Sequence, residues 1–383
     1  MAIKRWLGTS VAVALLLLSV GDVDAKSYRF GGLLPLTGNS ATAGEWMRKG
    51  AELAVVEINA AGGVDGVPLE IIFDDNQTLA RAAVSAFTKL VTVDRVPFSL
   101  TALTGVSLAI APIAEKHKVV LMNGGGISPT LGGASSMLFN QIPLGDFQFR
   151  VLARYVRDEM KPLRLALLYR NDDYGNGMLD FAKAQLPQMK VTLVAAESFE
   201  PGNQDFRSQL AKLRAANVQG IFLAAFGLEQ ANILKQASEI GMKIVWLGFT
   251  PFESQDIARI ASGPAEGSRY TMPQTVGPKY EAFAKAFTAK YKVAQVDYVA
   301  AGYYDATQIF AAAVGYASRK GWEYTGESVR RALLEMPPYE GIFGKTQFAP
   351  DGTVRKAMSI KTFHDGKPAV VKTYSLEEIL HPR

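Results

Sequence analysis

The chain reads as an α/β protein built from two lobes, each with a parallel central sheet. Short apolar runs alternate strictly with longer helical segments, the pattern of parallel strands with helices on both faces. That alternation ends near residue 123 and starts again near residue 163, so there are two successive series. A length of 383 residues agrees, at the usual ~100–200 residues per domain. No low-complexity linker separates the series, which makes the crossings between lobes short.

The first series opens with a strand, YRFGGLLPL (28–36). A helix follows over AGEWMRKGAELAVVEINAAGG (43–63): Met47, Ala51, Ala54, Val55 and Ile58 recur at helical spacing, and Gly62 and Gly63 close it. VPLEIIFDD (67–75) is a strand, LARAAVSAFTKLVTVD (79–94) a helix, VPFSLTA (96–102) a strand and GVSLAIAPIAEKH (105–117) a helix. KVVLMN (118–123) is a strand that runs into three consecutive glycines.

The second series alternates strands at 163–172, 191–199, 218–226 and 243–250 with helices at 175–186, 206–217 and 229–241. A long helical region then spans roughly 278 to 335. The tail, GKTQFAPDGTVRKAMSIKTFHDGKPAVVKTYS, alternates short β runs with Asp-Gly turns and reads as hairpins.

Composition removes several classes. Hydrophobic residues at 48% and charged residues at 20% are those of a globular chain, not a disordered or fibrous one. Basic residues occur at most in pairs and the net charge is only +5, so nucleic acid is not an expected partner. The absence of cysteine excludes a lipoprotein anchor, a disulfide framework and thiolate metal sites. Lys4 and Arg5, the apolar run Val11–Leu18 and the small residues Val23 and Ala25 read as a secretory signal peptide over residues 1–25, which implies export to the periplasm.

Catalytic motifs are missing. LMNGGGISPT (121–130) has glycines placed after a buried strand, as an anion site or a tight turn would. It lacks both G-x-G-x-x-G and a following Lys-Ser/Thr, and GLLPLTG, the first strand–helix turn, lacks the dinucleotide fingerprint. His117, His364 and His381 are far apart, and there is neither a G-x-S-x-G elbow nor H-E-x-x-H. The expectation is a binding protein, not an enzyme, with no cofactor and no metal.

Five segments, in order, carry a resemblance: GLLPLTGNSATAGEWMRKGAELAVVEINAAGGVDGVPLEIIFDD, APIAEKHKVVLMN, NDDYGNG, FRSQLAKLRAANVQGIFLAAF and YYDATQIFAAA. Together they resemble the type I periplasmic binding proteins of ABC transporters, in the leucine/isoleucine/valine-binding branch. The resemblance implies two Rossmann-like lobes joined by three crossings, near Gln141–Asp146, Thr271–Gln274 and Lys345–Phe348. Lobe 1 is then 26–143 with 274–345, and lobe 2 is 144–273 with 346–383. It also implies a monomer that closes on a small carboxylate ligand and docks on a membrane permease driven by a cytoplasmic ATPase. Delivery of ligand to a receptor, as a periplasmic sensor, is the alternative.

Site residues follow from the same resemblance. Thr104 matches a hydroxyl that holds the ligand carboxylate; an N-cap role is its other reading. Gly125 and Gly126 match backbone-amide positions, or else mark a turn of positive φ. Tyr174 matches an aromatic that closes over the ligand, while Phe226 and Phe249 are either further walls or core. Trp46 reads as packing.

Four positions depart from the family. Ala43 stands in place of an aromatic, Ile127 in place of a hydroxyl and Phe226 in place of a tyrosine. Thr250 stands where amino-acid-binding members place the acidic partner of the α-ammonium. An ammonium buried without a partner is costly, so the departures favour an apolar or aromatic acid without an amine over a branched-chain amino acid. Glu253, Asp305 and Asp173 are the carboxylates that would reverse this.

Overall fold

The computed structural model describes residues 27–160, 163–275 and 277–381; the expected signal peptide lies outside them. The first series forms β1 (Tyr28–Leu34), α1 (Ala41–Ala60), β2 (Leu69–Asp75), α2 (Ala80–Thr92), β3 (Phe98–Thr101), α3 (Thr104–His117), β4 (Val120–Asn123) and β5 (Leu138–Asn140). Its strands make one parallel sheet in the order β2-β1-β3-β4-β5. All residues of β3 and β4 are buried, as expected of parallel strands covered on both faces.

The second series runs α4 (Gly145–Glu159), β6 (Leu165–Arg170), α5 (Asp173–Gln185), β7 (Leu193–Phe199), α6 (Arg207–Ala215), β8 (Gly220–Ala224), α7 (Gly227–Glu239), β9 (Val245–Gly248), α8 (Gln255–Ile260) and β10 (Arg269–Pro273). After it come α9 (Gly277–Tyr291), α10 (Tyr298–Arg319), α11 (Gly326–Glu335), β11 (Tyr339–Gly341), β12 (Gly344–Thr346), β13 (Met358–His364), β14 (Lys367–Tyr374) and α12 (Leu376–Leu380). The second sheet has the order β14-β13-β10-β9-β8-β6-β7, parallel from β10 to β7 and antiparallel where β13 and β14 add to it. Asp365 (φ 49°) and Gly366 (φ 70°) form the two-residue turn between β13 and β14, the backbone that tight hairpins require.

Each sheet has its own aromatic core. Phe310 of α10 lies 4.2 Å from Phe98 and 4.6 Å from Phe30 under the first sheet, and Phe149 of α4 lies 4.6 Å from Phe249 under the second. The chain passes between the sheets three times, after β5, β10 and β12, while α10 and α11 return to the first core. Contact between α1 and α10 is close enough that a Cβ on Gly50 would fall 2.1 Å from the Ala300 carbonyl oxygen. That approach sets the N-terminus of α10 beside the first turns of α1. No helix among the described residues is long and apolar enough to cross a membrane.

Candidate ligand-binding site

The loops that leave the carboxyl ends of strands in both sheets converge on one cavity of about 80 Å³. At the ~10–15 Å³ that one water-sized group needs, this is room for one small molecule. Hydrogen bonds among the described residues span the cleft around it, including the Gly145 amide on the Ile127 carbonyl (2.6 Å). The Ser128 hydroxyl donates to the Asp173 carbonyl (3.1 Å), and the Gln255 amide donates to Asp297 Oδ2 (3.2 Å).

On the first-sheet side, the start of α1 contributes Ser40, Thr42, Ala43, Trp46 and Met47. Ser40 is buried, and its hydroxyl has no hydrogen-bond partner among the described residues. Trp46 lines the cavity with its ring stacked 5.6 Å from Phe287, so it combines a wall with the packing role read from sequence. Thr104 is the first residue of α3, after the N-cap position Leu103, and no side chain caps the helix. Its hydroxyl accepts a long bond from the Ser128 amide (3.4 Å). The helix ladder begins with the Ser107 amide on the Leu103 carbonyl (3.0 Å), which leaves the amides of Thr104, Gly105 and Val106 outside it at the helix end whose first residue, Thr104, lines the cavity. Leu103 also lines the cavity and has φ +70°, a strained conformation for a residue with a side chain.

The glycine loop has a different logic from the one its sequence suggests. None of Gly124, Gly125 and Gly126 has positive φ. Gly126 is needed for close approach, because a Cβ there would sit 2.9 Å from the Thr104 amide nitrogen. The Gly125 and Gly126 amides both donate to the Asn123 side-chain oxygen, at 3.2 and 2.8 Å, so Asn123 holds the donors that the resemblance assigns to a ligand. Ile127 lines the cavity, 2% exposed, and presents an apolar side chain there.

On the second-sheet side stand Tyr174 and Phe226, with ring centres 5.9 Å apart. Asp172 accepts from the Tyr174 and Gly175 amides (3.1 Å each), which caps α5 and fixes Tyr174. Arg170 supports both aromatics: it pairs with Asp172 (2.6 Å) and Glu229 (2.8 Å), and its guanidinium lies 4.6 Å from the Phe226 ring centre. Burial pushes Glu229 upward, and Arg170 opposes the shift. The Tyr174 hydroxyl is buried, has no partner among the described residues, and is pushed well above its usual value by desolvation and by Asp172. Phe249 lies in the core instead, against Phe149.

The carboxylates are distributed differently from the sequence expectation. Thr250 is fully buried away from the cavity, with its amide on the Gln148 side chain (2.9 Å), because a 3₁₀ turn over Thr250–Phe252 faces it inward. Glu253 is held outside the cavity by Lys361 (2.5 Å) and the Tyr270 hydroxyl (2.8 Å). Asp305 accepts from the Ile342 amide (3.1 Å) elsewhere, and Asp173 is not a lining residue. Two carboxylates that the sequence reading passed over, Asp256 and Asp297, do line the cavity together with Tyr298. Asp256 faces Arg259 at 3.4 Å. Asp297 caps α10, accepting from the Val299 amide at 3.0 Å as well as from Gln255. Burial pushes it up to about 7 against those two hydrogen bonds, and Glu253 and Asp256 add repulsion. No Lys, Arg or His is among the described lining residues.

Comparison with known proteins agrees with this architecture. The profile of a family described as periplasmic binding protein matches residues 27–367. The leucine-, isoleucine-, valine-, threonine- and alanine-binding protein of Pseudomonas aeruginosa is 27% identical over 79% of this chain and 82% of its own length. Among solved structures, the branched-chain amino acid transporter substrate binding protein LivJ of Streptococcus pneumoniae, in complex with isoleucine, is 27% identical with a TM-score of 0.81, covering 91% of this chain and all of that one. A solute binding protein from Rhodopseudomonas palustris in complex with benzoate shares the fold at 18% identity and a TM-score of 0.80, over 91% of this chain and 97% of its own. With two sheets of parallel cores facing one cavity and a family match across nearly all the described residues, the chain belongs to the periplasmic binding protein family.

Proposed function

We propose that the protein is the exported solute-binding component of an ABC importer and captures one zwitterionic, apolar amino acid between its lobes. The observation that carries this is the chemistry of the cavity lining. Asp256 and Asp297 line it, with no cation among the described lining residues. A ligand with only a carboxylate would bring a third acidic group to these two, with no cation among the described lining residues to offset it. An amino acid places its ammonium by these residues and its carboxylate at the start of α3, near Thr104. The buried hydroxyls of Ser40 and Tyr174 come from opposite sides of the cleft. A ligand that satisfies both favours the closed form, which couples binding to closure.

In this reading 26–143 with 274–345 moves against 144–273 with 346–383, in the periplasm, and the closed form docks on a permease served by a cytoplasmic ATPase. The name of the Pseudomonas aeruginosa relative, a leucine-, isoleucine-, valine-, threonine- and alanine-binding protein, supports it. One observation favours a second reading, an aromatic or aliphatic acid without an amine: Ile127 gives the cavity an apolar side chain where the family resemblance implies a hydroxyl. A thermal-shift screen of L-amino acids, benzoate and short fatty acids decides between them. A ligand at 100 times its Kd stabilises by ~2.7 kcal/mol. Shifts confined to amine-free acids would reject the amino acid.

A further inference from the structure

We propose that Asp297 is the specificity-determining carboxylate of this cavity, taking the ligand ammonium and tying its recognition to closure of the cleft. The inference rests on the amino-acid reading above and deepens it. A carboxylate has about four acceptor positions, and backbone donors fill two of those on Asp297: the Val299 amide on Oδ1 and the Gln255 amide on Oδ2. The remaining ones belong to a buried group on the cavity wall. The two donors come from different bodies. Val299 is in the α10 that packs under the first sheet, and Gln255 opens the α8 that packs on the second. Asp297 therefore joins the two sides of the cleft at the point where it meets the ligand.

The charge on Asp297 sets the strength of that junction, since hydrogen bonds to an ionised acceptor are roughly twice as strong as neutral ones. The groups facing it are mostly acidic or neutral. Glu253 and Asp256 come from the segment around α8, Tyr280 from α9, and Tyr298 from α10 itself. The cations nearest those carboxylates are already engaged, Lys361 with Glu253 and Arg259 with Asp256. A ligand ammonium is the positive charge that this arrangement accepts. By holding Asp297 ionised it strengthens the Gln255 bond, so an amine-bearing ligand closes the cleft better than its amine-free counterpart. Asp256, already facing Arg259, is the weaker candidate for the same contact.

The test is calorimetric titration of L-leucine, L-isoleucine and L-valine, and of the matching amine-free acids, into the full-length mature protein and its Asp297→Asn and Asp256→Asn variants. Asparagine keeps an oxygen to accept from Val299, so the cap survives. The expected result is that wild type prefers the amino acids, that Asp297→Asn loses at least about tenfold in amino-acid affinity while its binding of the amine-free acids holds or improves, and that Asp256→Asn changes the preference less. Proton release on binding at pH 7, read from titrations in two buffers of different ionisation enthalpy, should be present in wild type and absent in Asp297→Asn. If Asp297→Asn keeps the wild-type preference, or if Asp256→Asn abolishes it instead, the assignment to Asp297 is overturned while the amino-acid reading stands. If wild type itself binds only the amine-free acids, the reading fails and this inference fails with it.

Discussion

Replacing Tyr174 by Phe removes one oxygen and leaves the ring. Everything that positions the ring stays: the Asp172 cap on its own amide, the Phe226 contact at 5.9 Å, and Arg170 behind Phe226. The hydroxyl has no partner among the described residues and is buried, so the closed form carries its desolvation unless a ligand oxygen meets it. Its bond to a charged ligand group contributes about 1.5–3 kcal/mol, which corresponds to a roughly ten- to hundredfold rise in Kd for Tyr174→Phe. Unfolding in urea of the ligand-free variant should show stability equal to wild type or higher, because no protein hydrogen bond is lost. Titration calorimetry beside the urea curve separates the two effects. Unchanged affinity would remove the hydroxyl from the ligand's reach, and a stability loss as large as the affinity loss would make Tyr174 a structural residue.

Other perturbations separate the cavity from its surroundings. Asp297, raised from 3.8 to about 7, keeps its proton in the ligand-free fold between roughly pH 4 and 7, where the unfolded chain has already lost it. The stability of the ligand-free protein should therefore fall as pH rises through that window. Affinity for an amine-bearing ligand should move the other way, about tenfold weaker at pH 6 than at pH 8 on one unit per decade; a flat profile in calorimetry contradicts this. Glu253→Gln breaks the pairing with Lys361 and weakens that with Tyr270, costing about 1 kcal/mol in chemical denaturation, with Kd unchanged within about twofold. A large loss of affinity would restore Glu253 to the site. Gly126→Ala puts a methyl 2.9 Å from the Thr104 amide nitrogen and 3.1 Å from the Leu103 carbonyl carbon, atoms that move only with the start of α3. It should cost about 1–3 kcal/mol of stability and weaken binding as well; wild-type behaviour in both assays would show that the loop has room.

Local pattern is enough to read much of the fold. The strand–helix alternation gives both parallel sheets, and Asp365-Gly366 marks the β13–β14 hairpin, because these features depend on neighbours in sequence. Helix α4 is absent from the sequence reading although Phe147, Val151, Leu152, Tyr155 and Val156 form a buried stripe at helical spacing. The short α8 has too few residues to show a period.

The site is less legible, for a physical reason. Thr104, Ile127, Tyr174 and Phe226 reach the cavity because each follows a strand end by a short loop, so matching the motif also matches the position. Thr250 stands apart from the cavity lining, buried in a 3₁₀ turn with its amide on the Gln148 side chain, a placement that its position after a strand does not reveal. Asp297 has a sequence signal, an Asp before an apolar helical run, but the signal says only that the helix is capped. That the same carboxylate lies in a ligand cavity follows from α10 packing on α1 across some 250 residues of sequence.

The amino-acid account is tested most directly by the ratio of two dissociation constants on the wild-type protein at pH 8. One is for the tightest-binding apolar L-amino acid, and the other is for the same molecule without its amine. Two carboxylates with no cation among the described lining residues predict that the amino acid binds at least about tenfold more tightly. An amine-free acid that binds equally or more tightly would contradict the account, and would make Ile127 and the aromatic walls the basis of recognition.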